Sequence, residues 1–343
     1  MKSKIILTLY CLLLSTSSGS TVREASARII GGESSQGYPW LGAIWTDKVK
    51  CGAALIHDQW VLTAAHCVIG YPDLFYDSGM DNITSNEMFI NTLIWDNFRR
   101  DGGQGPAAIK FGLLDQSKST EDHVIDRYIQ SAHCHPEYYH GGSEDQYADL
   151  CLLKLAQSVT KSDVEQFRDN TDLHRHLCLP QSAQPGSEKC TVAGWGATDP
   201  SDESQSSNGL NEVQLPHVDN DQCAEWYFQK NNFIKIDVQH VCYGYPNGGK
   251  DSCAGDSGGP LVCSSETEGR FELRGIVSFA IDCAAANLPG VYTNVYNFNS
   301  WIEQTINQID PNAKFSSACN SVEPLSWWEQ GWNWVRCLFG SCD

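Results

Sequence analysis

The sequence predicts an all-β body closed by a single helix, on three observations. From Ile29 onward, short apolar runs alternate with turns rich in Gly, Pro, Asn and Asp, the pattern of an antiparallel sandwich or barrel. Helical spacing is convincing at one place, Asn299–Ile309, where Trp301, Ile302, Thr305, Ile306 and Ile309 recur on one face. The chain also carries fifteen cysteines behind an N-terminal stretch that reads as a secretory signal, which fits a disulfide-stapled extracellular fold.

Residues 1–20 supply that signal. Lys2 and Lys4 precede the apolar run Ile5–Leu14, and small residues Ser15–Ser20 offer a cleavage site. The run is too short to span a bilayer, and no later stretch approaches the roughly 18 apolar residues a membrane helix needs. The expected localisation is therefore secreted and extracellular, with no transmembrane segment. Cys11 leaves with the signal, and the even set that remains predicts disulfides rather than metal ligation, since paired CxxC and HExxH patterns are missing. The net charge of −19 disfavours nucleic acid, whose phosphates need Lys/Arg neutralisation, and anionic membrane surfaces. An apolar content of 41% is ample for a globular core.

Residues 21–28 are a short polar segment ending in Ala27-Arg28, before Ile29-Ile30-Gly31-Gly32. An exposed arginine there is a natural processing site. The expected strands follow at Trp40–Trp45, Cys51–Ile56, Trp60–Thr63, Ala107–Phe111, Val124–Ile129, Leu150–Leu155, Cys190–Gly194, Pro260–Cys263, Leu273–Phe279 and Gly290–Thr293. Between the first three and the fourth lies a long segment, Val68–Pro106, rich in aromatic and acidic residues. Long loops are uncommon unless functional. It reads either as a cleft rim or as a tolerated surface insertion. It carries the sequon Asn82-Ile83-Thr84, which predicts glycosylation at Asn82.

Three residue types converge on one chemistry. Ser257 sits in Asp251-Ser-Cys-Ala-Gly-Asp-Ser-Gly-Gly-Pro260, where glycines permit a tight turn and let backbone N–H groups converge on a substrate oxygen. His66 follows an apolar strand in Leu62-Thr-Ala-Ala-His66-Cys67, and Asp149 opens the apolar strand Asp149-Leu-Cys-Leu-Leu153. Singly, each has a structural reading: a surface turn, a satisfied core histidine, a buried turn-former. Together they are the nucleophile, base and orienting acid of serine catalysis.

From about Ile29 to Ile309 the chain resembles the chymotrypsin/trypsin-fold serine protease zymogens. The matching stretches are Ile29-Ile-Gly-Gly32, Thr63-Ala-Ala-His-Cys67, Asp149-Leu-Cys-Leu-Leu153, Gly194-Trp-Gly196, Asp251–Pro260, Ser278-Phe279 and Pro289-Gly-Val-Tyr292, in the family's order. The resemblance implies two six-stranded antiparallel β-barrels with a C-terminal helix. It divides the chain into a signal peptide (1–20), an activation peptide (21–28), a protease domain (29–310) and a C-terminal extension (311–343).

What the resemblance implies for the site is specific. Ser257 is expected to attack the scissile carbonyl, His66 to take its proton and Asp149 to orient the imidazole. The N–H groups of Gly255 and Ser257 would form the oxyanion hole, and Ser278 would hydrogen-bond Asp149. Asp251 would floor a pocket for Arg or Lys side chains, lined also by Ser252, Ser278, Phe279, Ala280 and Gly290. Ala280 stands where glycine is usual and Phe279 where tryptophan is usual. Cleavage at Arg28–Ile29 would free an ammonium to pair with Asp256. Implied bridges are Cys51–Cys67, Cys190–Cys263, Cys223–Cys242 and Cys253–Cys283. Cys134 and Cys151 are not usual family cysteines, but they fall on strands expected to be antiparallel neighbours and are expected to pair. Cys178 is given Cys319, which leaves Cys337 with Cys342. No cofactor or metal is expected, and Leu113 stands where the family's calcium ligand would be. The expected partners are protein or peptide substrates with Arg or Lys, and protein protease inhibitors. A second class, a secreted binding or decoy protein that kept the fold, is disfavoured by the intact triad.

The tail crowds Trp327, Trp328, Trp332 and Trp334 together. On a helix, Trp327, Trp328, Gly331, Trp334, Val335 and Leu338 would share a face. Such a segment suits a membrane interface or a partner, or packing onto its own protease domain.

Overall fold

A computed structural model of the chain describes residues 29–45, 48–69, 108–138, 147–165, 175–183, 189–202, 205–265, 270–313 and 315. Residues 1–28, expected as signal and activation peptides, most of the Val68–Pro106 segment with Asn82, and the tail with Cys319, Cys337, Cys342 and its tryptophans lie outside the described residues.

Six strands form the first barrel: β2 (Leu41–Trp45), β3 (Val49–His57), β4 (Trp60–Thr63), β5 (Ala108–Phe111), β6 (Ile125–Cys134) and β7 (Cys151–Leu155). They close in the order β2-β3-β4-β7-β6-β5, every pair antiparallel. Their inward residues, among them Ile44, Leu55, Leu62, Ile109 and Leu152, are fully buried. The second barrel comprises β8 (Lys189–Gly194), β9 (Asn211–Val218), β10 (His240–Tyr243), β11 (Pro260–Ser265), β12 (Arg270–Phe279) and β13 (Gly290–Asn294). It closes through the β8–β9 pairing, and the short β1 (Glu33–Ser34) adds to the outer edge of β9. Val192, Leu215, Val241, Leu261 and Tyr292 fill it, and Ile29 packs into the same cluster. The fold is thus two closed six-stranded antiparallel barrels with a C-terminal helix.

Strands β1, β9 and β10, and every described α-helix but the last, escape the sequence pattern. β9 contains Pro216, and proline ordinarily demotes a strand; here it lies near the C-terminal end of β9, which β8 and β10 pair on either side. β10 is only His240–Tyr243. Asn220–Lys230 (α3) buries Cys223 and Tyr227 alone, so it shows no apolar stripe. Its start is fixed instead by the Asp219 side chain, which accepts from Asp221 N at 3.0 Å and Gln222 N at 3.4 Å. Two shorter helices, α1 (Ala65–Ile69) and α2 (Lys161–Val164), are single turns.

Helix α4 (Asn299–Ile309) is where helical spacing is strongest in the sequence. Although it follows the second barrel, Ile302 and Ile306 are fully buried in the first barrel's cluster, with Phe298 and Phe315. Lys154 on β7 ties its end through Asp310, at 2.9 Å. The helix therefore fastens the two barrels together.

Disulfides Cys51–Cys67, Cys134–Cys151, Cys190–Cys263, Cys223–Cys242 and Cys253–Cys283 join the described residues. Cys134 and Cys151 face each other directly across β6 and β7. Among the described residues no helix is long and apolar enough to cross a membrane.

Ile302→Ala opens a cavity in this core and is expected to lower unfolding stability by about 2–5 kcal/mol. Urea denaturation of the purified protein checks it. A change below about 1 kcal/mol would show that α4 is peripheral.

Candidate active site

His66 lies in α1, directly after β4. Asp149 ends the turn that leads into β7, the strand paired with β4 (Thr63 opposite Cys151). That register brings the two side chains together. Asp149 Oδ1 accepts from His66 N at 2.9 Å, and Oδ2 lies 2.8 Å from His66 Nδ1. The second barrel completes the group, because Ser278 on β12 donates its hydroxyl to Asp149 Oδ2 at 2.6 Å. Thr293 on β13 donates to the Asp149 carbonyl at 2.9 Å. Asp149 is wholly buried. Burial alone would raise its carboxyl. The charge of His66 and the hydrogen bonds from His66 and Ser278 outweigh that and hold it below the usual carboxylate range. An imidazole fixed in this way presents its other nitrogen as a base.

Ser257 is half-buried at the start of a turn into β11. Its carbonyl accepts from Gly52 N on β3 at 2.8 Å. The next residue, Gly258, has φ +74°, and a Cβ there would collide with Thr63 Oγ1 and stand 3.0 Å from Cys67 Sγ. Only glycine lets the serine turn press against the β4–α1 corner that carries His66. Gly255 has φ +98°, with a would-be Cβ 3.0 Å from Gly196 Cα. A side chain at Gly255 would therefore be strained.

Asp256, between them, points inward. It is buried, and its oxygens accept from Gly196 N at 2.8 Å and Cys253 N at 2.9 Å. Side chains at Gly194 or Gly196 would overlap its carboxylate. The Gly194-Trp-Gly196 motif, legible in the sequence only as a match, is therefore the cradle of this carboxylate. Burial pushes the Asp256 carboxyl up to about 6, against the two N–H groups.

Asp251 forms a second inward carboxylate. It is 1% exposed, and Oδ2 accepts from Ala284 N at 3.0 Å. Oδ1 is buried with no hydrogen-bond partner. A Cβ at Gly290 would stand 2.7 Å from that oxygen, so Gly290 leaves the space beside Oδ1 free. Ser252 Oγ meets Tyr292 Oη at 3.1 Å on the same wall. Burial, with Asp256 adding its charge, pushes the Asp251 carboxyl up to about 7 against the Ala284 and Ser252 N–H groups. Phe279 is half-buried, edge-on to Tyr227 and to His240 with ring centroids 6.0 Å apart in each case. Ala280 follows it, also half-buried. Sequence reasoning missed the bonds from Ala284 N to the Asp251 carboxylate, from Thr293 to the Asp149 carbonyl and between Tyr292 and Ser252, since nothing local marks a residue whose contact lies many positions away.

Cys51, His66 and Cys67 bring ligand-type atoms within 4.8 Å of one another. Both sulfurs are tied in one bridge, and a disulfide offers no thiolate to a metal.

Asp256 and Asp251 have folded pKa values above their unfolded ones. Stability from their protonated forms is present below about pH 4 and lost as pH rises through about 6 and 7. In the uncleaved chain, Asp256→Asn should gain up to about 3 kcal/mol relative to wild type between pH 4 and pH 7. Urea midpoints of both proteins at the two pH values check the sign; a relative loss would contradict it.

Comparison with known proteins places these features in a family. The family model described as Trypsin matches residues 29–92 and 104–302. The chain is similar to the clotting factor G beta subunit of Tachypleus tridentatus, 30% identical over 82% of this chain and 81% of that protein. It is similar also to the CLIP domain-containing serine protease B15 of Anopheles gambiae, 32% identical over 88% of this chain and 76% of that protein.

Proposed function

The chain belongs to the trypsin family and is a serine endopeptidase; from that premise we propose that it is a secreted zymogen that cleaves after Arg or Lys once Arg28–Ile29 is cut. The observation that carries the specificity is the buried Asp251 carboxylate with Oδ1 unpaired beside Gly290. A buried charge without a partner is costly. A guanidinium or ammonium entering there supplies the partner through charge-assisted hydrogen bonds.

The reaction follows the serine-triad mechanism general to this family. Ser257 Oγ attacks the scissile carbonyl as His66 Nε2 takes its proton. Asp149, fixed by Ser278, holds the proton on Nδ1 and stabilises the imidazolium. The Gly255 and Ser257 N–H groups receive the oxyanion, each worth roughly 2.7–4 kcal/mol of barrier. His66 then protonates the leaving amine, and water resolves the acyl-enzyme by the same steps in reverse.

Activation rests on Asp256. Ile29 is fully buried in the second barrel's cluster. Its neighbour Gly32 packs against Glu212, which pairs with Ala193 beside the Gly194–Gly196 cradle. An ammonium freed at Ile29 would meet a carboxylate whose burial is balanced only by two N–H groups. Ala280, where the family resemblance implies glycine, adds a methyl group at the expected pocket wall. Protein substrates, protein inhibitors that mimic them, and glycosylation at Asn82 complete the reading.

Binding of a cation favours ionised Asp251, so affinity for an aryl amidinium inhibitor should fall as pH drops through about 7, approaching tenfold per unit. Asp251→Asn should abolish that dependence and most cleavage after Arg and Lys in a peptide panel varied at the cleaved residue. A pH-independent inhibition constant, or faster cleavage after Phe or Leu by the wild type, would contradict the assignment.

A further inference from the structure

Cys178 donates its N–H to Phe271 O at 3.0 Å and accepts from Leu273 N at 2.8 Å, so it runs beside β12. It is disulfide-bonded, while all other described cysteines are closed in five bridges among themselves. Of the fifteen in the chain, this leaves Cys11, Cys319, Cys337 and Cys342 as partners. Cys11 lies in the run read as a signal.

The course of the chain favours Cys319. Phe315 is buried and packs edge-on to His57, with ring centroids 6.1 Å apart. Asn307 holds its backbone from both sides, at 3.1 and 3.2 Å. His57 ends β3, and Leu55 on that strand accepts from Leu177 N at 2.9 Å. Phe315 is thus joined to the Cys178 stretch through β3, and the step from 315 to 319 can span at most about 14 Å.

Next to the same stretch of β12 lies a cleft of about 320 Å³, with Tyr38, Trp40 and Phe271 on one side and Lys189, Thr191 and Gln214 on the other. Tyr38 stacks on Trp40 at 5.3 Å, and Trp40 leans on Phe271 at 4.9 Å. A cavity of about 150 Å³ holds one benzene ring, so there is room for about two aromatic rings. Aromatic surface, hydroxyl and amide groups, and a lysine cation together suit indole, which has an apolar face, one N–H donor and affinity for cations. The chain beyond Cys319 carries Trp327, Trp328, Trp332 and Trp334, whereas residues 21–28 contain neither cysteine nor aromatic ring.

We propose that Cys178 is bridged to Cys319 and that indole rings from the segment Trp327–Trp334 occupy this cleft. The C-terminal extension is then an intramolecular strap across the joint of the barrels. Tyr38 and Trp40 lead into the first barrel, while Lys189, Thr191, Gln214 and Phe271 belong to the second. The strap is anchored independently of residues 21–28, so it stays in place when they are removed.

The test uses the full-length secreted protein with Gln214→p-benzoylphenylalanine, an exposed position on the cleft wall, irradiated and mapped without reduction. The expected result is a peptide joining Cys178 to Cys319 and a photoadduct on residues 320–336. Trp327→Ala, Trp328→Ala, Trp332→Ala and Trp334→Ala together should cut the adduct yield at least fivefold while the Cys178–Cys319 link persists. A link from Cys178 to Cys11, Cys337 or Cys342 overturns the proposal. So does an adduct on residues 21–28, on a second copy, or nowhere in the tail, and so does a yield indifferent to the four substitutions.

Discussion

Everything at this site hangs on the Asp149 carboxylate. It is fully buried, and its oxygens are shared between donors from two separately closed barrels: His66 N and Nδ1 from the first, Ser278 Oγ from the second. A lone buried carboxylate is strongly disfavoured. The barrels must therefore meet in one register for the group to stay ionised, and that register sets His66 relative to the serine turn. Gly258 makes the approach possible, since any side chain there would strike Thr63. Catalytic geometry and interdomain packing are one constraint.

Asp256 and Asp251 extend the same logic with opposite sign. Asp149 has imidazole and hydroxyl partners and is held low, whereas the other two have mainly backbone N–H groups and are pushed up. Carboxylates raised by burial are poised for cations. In the proposed cycle one receives the new amino terminus and the other the substrate's basic side chain. Disulfide Cys253–Cys283 ties the turn between them to the wall that ends at Gly290.

Much of this was legible in the sequence, for physical reasons. Apolar runs marked the strands with dense cores, such as β3, β4 and β7, and 3.6-residue spacing marked α4. β9 was hidden by Pro216, and α3 by its exposure on nearly every side. Within the site, residues in compact motifs could be assigned: Ser257 between glycines, His66 after its strand, Asp149 before its own. The partners that finish the electrostatics could not. Thr293 lies 144 positions from Asp149 and Ala284 lies 33 from Asp251; such contacts are created by barrel closure alone. Gly194 and Gly196 stood out as a motif, but their role appears only when Asp256 fills the space a Cβ would need.

In the proposed function, Ser257 becomes a nucleophile aimed at substrates with a basic side chain once the chain is cut before Ile29. An aryl phosphonate carrying an arginine mimic probes both halves of that statement at once, with covalent labelling mapped by mass spectrometry before and after cleavage at Arg28. Labelling of Ser257 is expected only in the cleaved protein, with no labelling of Arg28→Gln under the same treatment and weak reaction with a phenylalanine analogue. Equal labelling of cleaved and uncleaved chains, or preference for the phenylalanine probe, would be incompatible with it.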